Sequence, residues 1–296
     1  METTSTTNTS QILKKVRKIE IKTRGLSNQI FAGEYHSAFK GRGMSFAEVR
    51  EYQYGDDIRN IDWNVTARFN KPFIKVFEEE RELTVMLLID VSRSEVFGTN
   101  RQMKAELITE LAAVLSFSAI QNNDKVGVIF FSDTIEKFIV PKKGKKHILR
   151  IIRELIDFKS SQTGTDIALA LKYLTNSIKK RSTTFVLSDF LDSGFEKTLR
   201  IANNKHDIIA LQIADRREFE LPDIGLVKLY DPEQKTFQWV DTGNNATREA
   251  YRKWRLQHQA MLSDNFIRTG VDNAILYTGE DYVKTLKSLF KKRSKF

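Results

Sequence analysis

Residues 84–90 read TVMLLID, and this short run constrains the fold more than any other stretch of the chain. A strand with one wet face shows alternating polar and apolar positions, whereas a strand covered on both faces needs no alternation, and five consecutive apolar residues from Val85 to Ile89 are of the second kind. Similar runs recur at 124–132, 183–188, 207–214 and 273–277. Between and after them lie stretches with helical spacing at 102–121, 145–158, 166–181, 194–204, 247–263 and 281–291. Strands that alternate with helices predict an α/β fold with a doubly wound, mostly parallel sheet of about six core strands flanked by helices. Crossovers of this type are right-handed, and ligands bind beyond the carboxyl ends of the strands.

The remaining segments read as attachments to this core. Residues 226–230 and 236–240 flank a turn-forming stretch from Asp231 to Lys235 and suggest a hairpin inserted at about 222–245. Residues 73–83 read as an extended, charged strand. Residues 33–70 mix glycine, aromatics and both charge signs without clean periodicity, and Ile12, Leu13, Val16 and Ile19 place an amphipathic helix in 11–22. Residues 1–10, METTSTTNTS, have neither the apolar run nor the basic flank of a secretory signal and are expected to be a disordered tail. The expected organisation is therefore a tail over 1–10, an N-terminal appendage over 11–80 and an α/β domain over 81–296.

At the end of the first buried strand stand Asp90, Ser92 and Ser94. Residues at i, i+2 and i+4 point the same way where a strand runs out into a loop, so one carboxylate and two hydroxyls can converge. All three offer oxygen, the ligand that hard divalent cations such as magnesium require. Two further residues occupy strand or helix ends in the order that a single site needs: Thr165 enters the helix at 166–181, and Asp189 follows the strand at 183–188. Asp90 could instead cap a helix, and Thr165 could equally cap the helix that starts at Asp166.

This constellation resembles the metal-ion-dependent adhesion site of von Willebrand factor A domains over roughly residues 84–214. The resemblance implies a magnesium or manganese ion touched directly by Ser92, Ser94 and Thr165, with Asp90 and Asp189 holding its waters and a partner's Asp or Glu completing the sphere. Upstream, the stretch from Gly41 to Phe46 and the stretch from Arg50 to Trp63, REYQYGDDIRNIDW, are similar to the signature of the bacterial family called domain of unknown function 58. That resemblance extends over nearly the whole chain. It implies an A-like domain often encoded beside a MoxR-type AAA+ ATPase and other A-domain proteins in aerotolerance-type operons, hence a non-enzymatic adaptor. Many relatives carry N-terminal transmembrane helices, and the sequence here has no such run, so any membrane contact is expected to be peripheral. Within the signature, Gly55, Asp56 and Asp57 form a turn with acceptors for a short helix; Asp57, Arg59 and Asp62 are expected to pair with Arg50 or Arg68, and Trp63 to anchor the segment.

Composition narrows the alternatives. The chain has no cysteine, which excludes disulfides, cysteine-ligated zinc and thiol catalysis. With no targeting signal, the cytoplasm is the expected compartment, with possible peripheral contact at the inner membrane. The net charge of +10 is concentrated at Lys142, Lys143, Lys145 and Lys146, at Lys179, Lys180 and Arg181, and from Lys291 to Lys295. No zinc finger, aromatic RNA-binding signature or glycine-rich KH loop accompanies these clusters, so nucleic acid is not the expected partner. Phosphotransferases of the haloacid-dehalogenase type need an aspartate two residues after the first, where this chain has Ser92. There is no phosphate-binding Gly-x-x-x-x-Gly-Lys loop, and His36, His147, His206 and His258 lie in no nucleophile motif. A cryptic metal-dependent phosphohydrolase and a basic scaffold on anionic membrane are the alternative functions.

Overall fold

The computed structural model describes residues 16–20, 22–23, 44–79, 83–92, 103–158, 164–231 and 236–293. Two compact units emerge, one of residues 40–83 and one of the remaining chain. The expected tail at 1–10 and the last lysine cluster beyond Arg293 lie outside the described residues.

In the smaller unit, β1 (Met44–Glu51) pairs antiparallel with β2 (Phe73–Glu79), with a register shift between Phe46 and Glu48. The connection holds a 3-10 turn at Ile58–Asn60, capped by Asp57, and helix α1 (Trp63–Phe69), capped by Asp62 through Asn64 N at 3.0 Å and Val65 N at 3.3 Å. Asp56 holds Arg50 by two hydrogen bonds of 2.8 and 2.9 Å, and Lys75 lies 3.5 Å from Asp62. The ion pairs are thus present but differently partnered than the sequence suggests. Trp63 is no anchor: its cap places it as the first residue of a helix that buries none of its side chains, and it is 70% exposed. Among the described residues of this unit, Ile74 of β2 is the buried one instead. The charged strand expected at 73–83 belongs to this small sheet and not to the central one.

The larger unit follows the predicted alternation: β3 (Thr84–Asp90), α2 (Lys104–Gln121), β4 (Lys125–Phe131), β5 (Ile135–Lys142), α3 (Lys145–Asp157), α4 (Ile167–Ser177), β6 (Thr183–Ser188), α5 (Glu196–Lys205) and β7 (Asp207–Ala214). There follow β8 (Leu226–Asp231), β9 (Thr236–Asp241), α6 (Asn245–Thr269), β10 (Asp272–Tyr277) and α7 (Tyr282–Arg293). Strands β8 and β9 form a separate antiparallel hairpin. The central sheet has six strands in the order β10-β7-β6-β3-β4-β5, parallel except for β5. The α/β fold class and the mostly parallel sheet are as the apolar runs require.

β3 lies at the middle of the sheet, and every residue from Val85 to Asp90 is buried. Met86 and Leu88 pack with Ile129 and Val186 under Leu171 and Leu174 of α4, Leu199 of α5 and Phe266 of α6. On the opposite face Phe185 meets Phe290 of α7 edge-on. Removing such side chains from water contributes about 1.5–3 kcal/mol each, which makes the double cover of β3 a main source of stability. It also fixes Asp90 at the strand's carboxyl end.

The sixth strand, β5, has no counterpart in the apolar runs. It runs antiparallel along β4 at the sheet edge, where one face is wet and Glu136, Lys137 and Pro141 break the pattern. Gly127 of β4 makes the approach possible, since a Cβ there would lie 2.7 Å from Pro141 Cγ and 2.8 Å from Met86 Sδ.

The helical residues 16–20 and 22–23 belong to the α/β unit: Glu20 pairs with Lys145 at 2.5 Å and Lys22 with Glu110 at 2.7 Å. Lys142 lies beside the start of β4, Lys145 and Lys146 open α3, Lys179, Lys180 and Arg181 precede β6, and Lys291 and Lys292 end α7. The described basic clusters therefore gather at the amino ends of the parallel strands, away from Asp90. Among the described residues no helix is long and apolar enough to cross a membrane.

Candidate metal centre

Asp90 ends β3 between the flanking strands β4 and β6 and is 1% exposed. Its Oδ1 accepts a hydrogen bond from Ser92 N at 3.0 Å, a local turn that brings Ser92 back over the strand end. Its Oδ2 accepts from Ser188 Oγ at 2.7 Å and from Thr165 Oγ1 at 3.4 Å, and the Ser92 hydroxyl also bonds this carboxylate. Asp189, the residue after β6, is likewise buried, and its charge is felt at Asp90. Of the five residues singled out in the sequence, Ser92 and Thr165 bond the Asp90 carboxylate and Asp189 acts on it through its charge, while Ser94 lies outside the described residues.

The alternative reading of Thr165 as a helix cap is answered by its neighbours. Asp166 is the cap of α4, accepting from Leu169 N at 2.7 Å, and Asp192 accepts from Ile167 N at 2.8 Å. Two carboxylates at the positive end of the helix satisfy two of its free N–H groups, and the Thr165 hydroxyl faces Asp90.

Ser188 was not among the expected residues. It is fully buried, donates to Asp90 and accepts from Phe190 N at 3.1 Å. Phe190 has φ 56, a left-handed conformation unfavourable for a residue with a Cβ, and its ring is held by Phe195 and Phe266 at centroid distances of 6.0 and 5.3 Å. This packing stabilises the sharp exit from β6 that places Asp189, whose Oδ1 accepts from Leu191 N at 3.2 Å. A serine ending a buried strand carries no sequence signal that distinguishes it from any other.

Burial pushes the Asp90 carboxyl up to about 6, and the charge of Asp189 adds to the rise, against the hydrogen bonds from Ser188 and Ser92 that favour the ionised form. Among the described residues a lysine reaches Asp189 of this pair. Lys104, the first residue of α2 and 1% exposed, lies 3.3 Å from Asp189 Oδ2 and 2.6 Å from Glu218 Oε1. Arg255 of α6 lies 3.7 Å from the other oxygen of Glu218. Gln212 donates to Asp189 O at 3.3 Å and exchanges hydrogen bonds of 3.1 and 3.0 Å with Gln259.

Two buried, mutually repelling carboxylates, one of them bonded by three hydroxyls, offer only oxygen among the described residues, which is the donor chemistry of magnesium or manganese. Among the described residues there is no cluster of three or more His, Asp or Glu side chains, so an imidazole-rich transition-metal site is not what these residues build. The residues present fit a hard dication.

Residues 48–261 match the family model described as Protein of unknown function DUF58. The chain belongs to this family. The DUF58 match reaches into both units and includes every residue of the candidate centre. The chain is 27% identical over 271 residues to the uncharacterized protein Rv1480 of Mycobacterium tuberculosis (strain ATCC 25618 / H37Rv), covering 90% of this chain and 85% of that one. It is 30% identical over 110 residues to the uncharacterized protein YeaD of Bacillus subtilis (strain 168), covering 37% of this chain and 25% of that one. Among solved structures it is similar to an aerotolerance-related membrane protein from Bacteroides fragilis, with TM-score 0.47, 15% identity and coverage of 72% of this chain and 100% of that one. It is also similar to the SpRpn10 VWA domain, with TM-score 0.40, 12% identity and coverage of 71% and 94%.

Proposed function

We propose that this DUF58 protein is a non-enzymatic binding module in which Asp90, Ser92, Ser94, Thr165 and Asp189 hold a magnesium or manganese ion that grips a carboxylate of a protein partner. The observation that carries this reading is the convergence on Asp90, from segments far apart in sequence, of the Ser92, Thr165 and Ser188 hydroxyls beside the second buried carboxylate, Asp189. Ser92, Ser94 and Thr165 would hold the ion through their hydroxyls, with Asp90 and Asp189 supplying the negative charge that favours it. When bound, the ion supplies an electropositive coordination position that an Asp or Glu side chain can fill. Position 92 carries a hydroxyl where a phosphate-transferring aspartate enzyme needs a carboxyl group for proton transfer, which supports binding over turnover.

The partner that family membership favours is a MoxR-type AAA+ ATPase, with other A-domain proteins, and the role is that of an adaptor in an aerotolerance-type system. The test is calorimetric titration of magnesium and manganese into wild type and Ser92→Ala/Ser94→Ala, with and without an Asp-containing peptide. The reading expects metal binding in wild type, its loss in the double variant, and peptide binding only when metal is present; a wild type indifferent to both metals sinks it. Co-purification from the native cell that recovers no such ATPase removes the adaptor role alone.

A further inference from the structure

We infer that His258 and the Gln212–Gln259 amide pair are positioning residues for the Asp189 carboxylate, so that α6, which supplies no ligand, sets the metal affinity of the Asp90 centre. The inference rests on the metal reading above and goes beyond it by assigning a task to three side chains outside the ligand set.

Phe190 follows Asp189 directly, and its φ of 56 is uncommon for a residue with a Cβ. Such a backbone persists where its surroundings over-determine it. Here both peptide planes that flank Phe190 are held at both ends. In the plane between Asp189 and Phe190, the Asp189 carbonyl accepts from Gln212 Nε2 at 3.3 Å, and Phe190 N donates to Ser188 Oγ at 3.1 Å. In the next plane, Phe190 O accepts from His258 Nε2 at 3.0 Å, and Leu191 N donates to Asp189 Oδ1 at 3.2 Å. The last of these bonds involves the carboxylate itself. Asp189 Oδ1 sits where the Leu191 N–H is presented, and that N–H points as it does because His258 holds the carbonyl at the other end of the same rigid amide.

Both donors are themselves held in place. Gln212 of β7 is 3% exposed, and an amide buried so deeply needs partners for its polar atoms. Gln259 of α6 meets it head-on, each amide nitrogen donating to the other's oxygen at 3.1 and 3.0 Å. The Asp189 carbonyl can only accept, so this exchange keeps the Gln212 nitrogen turned towards it. Trp254, one turn before His258 on α6, stacks on the His258 ring at a centroid distance of 6.0 Å. His258 and Gln259 are adjacent, so one turn of one helix backs both carbonyls, His258 directly and Gln259 through Gln212. Further along the same helix Leu262 and Phe266 are buried in the core and anchor it against the sheet.

The experiment measures manganese binding, by the electron paramagnetic resonance of free manganese, in wild type, His258→Phe, His258→Gln, Gln212→Met and Leu262→Ala, with urea unfolding and amide exchange of each metal-free protein. His258→Phe keeps a ring beside Trp254 and loses the donor; manganese binding weakens about tenfold and the Leu191 amide exchanges faster. Gln212→Met removes the partner of the other carbonyl, weakens binding to a similar extent, and decides the matter alone if His258→Phe does not fold. His258→Gln restores a donor and regains most of the affinity. Leu262→Ala lowers stability through a cavity beneath the same helix and leaves manganese affinity as in wild type. Wild-type manganese affinity in His258→Phe, an unchanged Leu191 amide in that variant, no recovery in His258→Gln, or an equal loss in Leu262→Ala overturns the inference and leaves the metal reading standing. No manganese binding in wild type removes both.

Discussion

Ser188 and Asp90 stand 98 positions apart in the chain and are joined by a 2.7 Å hydrogen bond from Oγ to Oδ2 at the floor of the candidate centre. The hydroxyl also accepts from Phe190 N, so one side chain sets both the orientation of the carboxylate and the exit of β6. Ser188→Ala leaves a buried carboxylate oxygen and a buried N–H each short of one partner. A hydrogen bond to a charged group contributes about 1.5–3 kcal/mol, and a loss of stability of that order is expected in urea unfolding of the metal-free protein. An unchanged unfolding midpoint would mean that the bond is not part of the folded state's stability.

Asp90 and Asp189 repel one another in a buried setting, which makes the centre a cost to the metal-free protein. The folded-state pKa of Asp90, about 6, lies above its ordinary value of 3.8, so the folded state binds the extra proton and stability falls as pH rises from about 4 to 6. Asp90→Asn removes that penalty and is expected to raise metal-free stability at neutral pH by about 1–2 kcal/mol while abolishing metal binding. Parallel denaturant and manganese titrations check both halves. A variant that loses stability and keeps its metal contradicts this account.

Thr165 and Asp166 are neighbours with separate tasks. Asp166→Ala removes the cap of α4 and is expected to lower stability by about 1 kcal/mol with little effect on metal affinity, because Thr165 still faces Asp90. Thr165→Val keeps the cap and the volume but removes the hydroxyl, and is expected to weaken manganese binding several-fold. The two variants, compared by thermal melts and by metal titration, should fail in different assays.

His206, at the end of α5, is buried, with Nδ1 on Ser182 Oγ at 3.0 Å and Nε2 without a hydrogen-bond partner among the described residues. Burial, together with the positive charges of Lys205 and Arg181, pushes its pKa down to about 4. The folded ring stays neutral where the unfolded one takes up a proton at 6.5. The stability this contributes is complete above 6.5 and is lost progressively as pH falls towards 4, to a total of about 3 kcal/mol. Urea unfolding followed from pH 7.5 to 4.5 should show this slope in wild type and a flatter one in His206→Gln.

The parts of the fold that were legible in the sequence are those where both faces of an element are buried. Residues 84–90, 183–188 and 207–214 became strands with those bounds because an uninterrupted apolar run admits little else. β5 was hidden because an edge strand with a wet face tolerates Glu136, Lys137 and Pro141. At the centre, Asp90, Ser92, Thr165 and Asp189 could be singled out because spacing along one strand, or position at an element's end, carries direction. Ser188, Lys104 and Glu218 reach the same place from segments whose local sequence says nothing of it, since their meeting depends on how β3, β6, α2 and the turn after β7 pack. Trp63 misled for the opposite reason: a large aromatic ring signals burial only when some surface is there to receive it.

β5 has one more consequence, for behaviour at high concentration. The outer edge of a sheet presents unpaired N–H and C=O groups on which a strand from another molecule can grow, the first step towards fibres. Among the described residues β5 is the last strand on this side; Pro141 has no N–H to offer and Lys142 lies in solvent, while Lys137 is tied to Glu154 of α3 at 2.5 Å. A second chain arriving beside β5 would meet charge and a proline, residues that disfavour strand addition, so the strand that departs furthest from the apolar pattern is also the one least suited to extend the sheet.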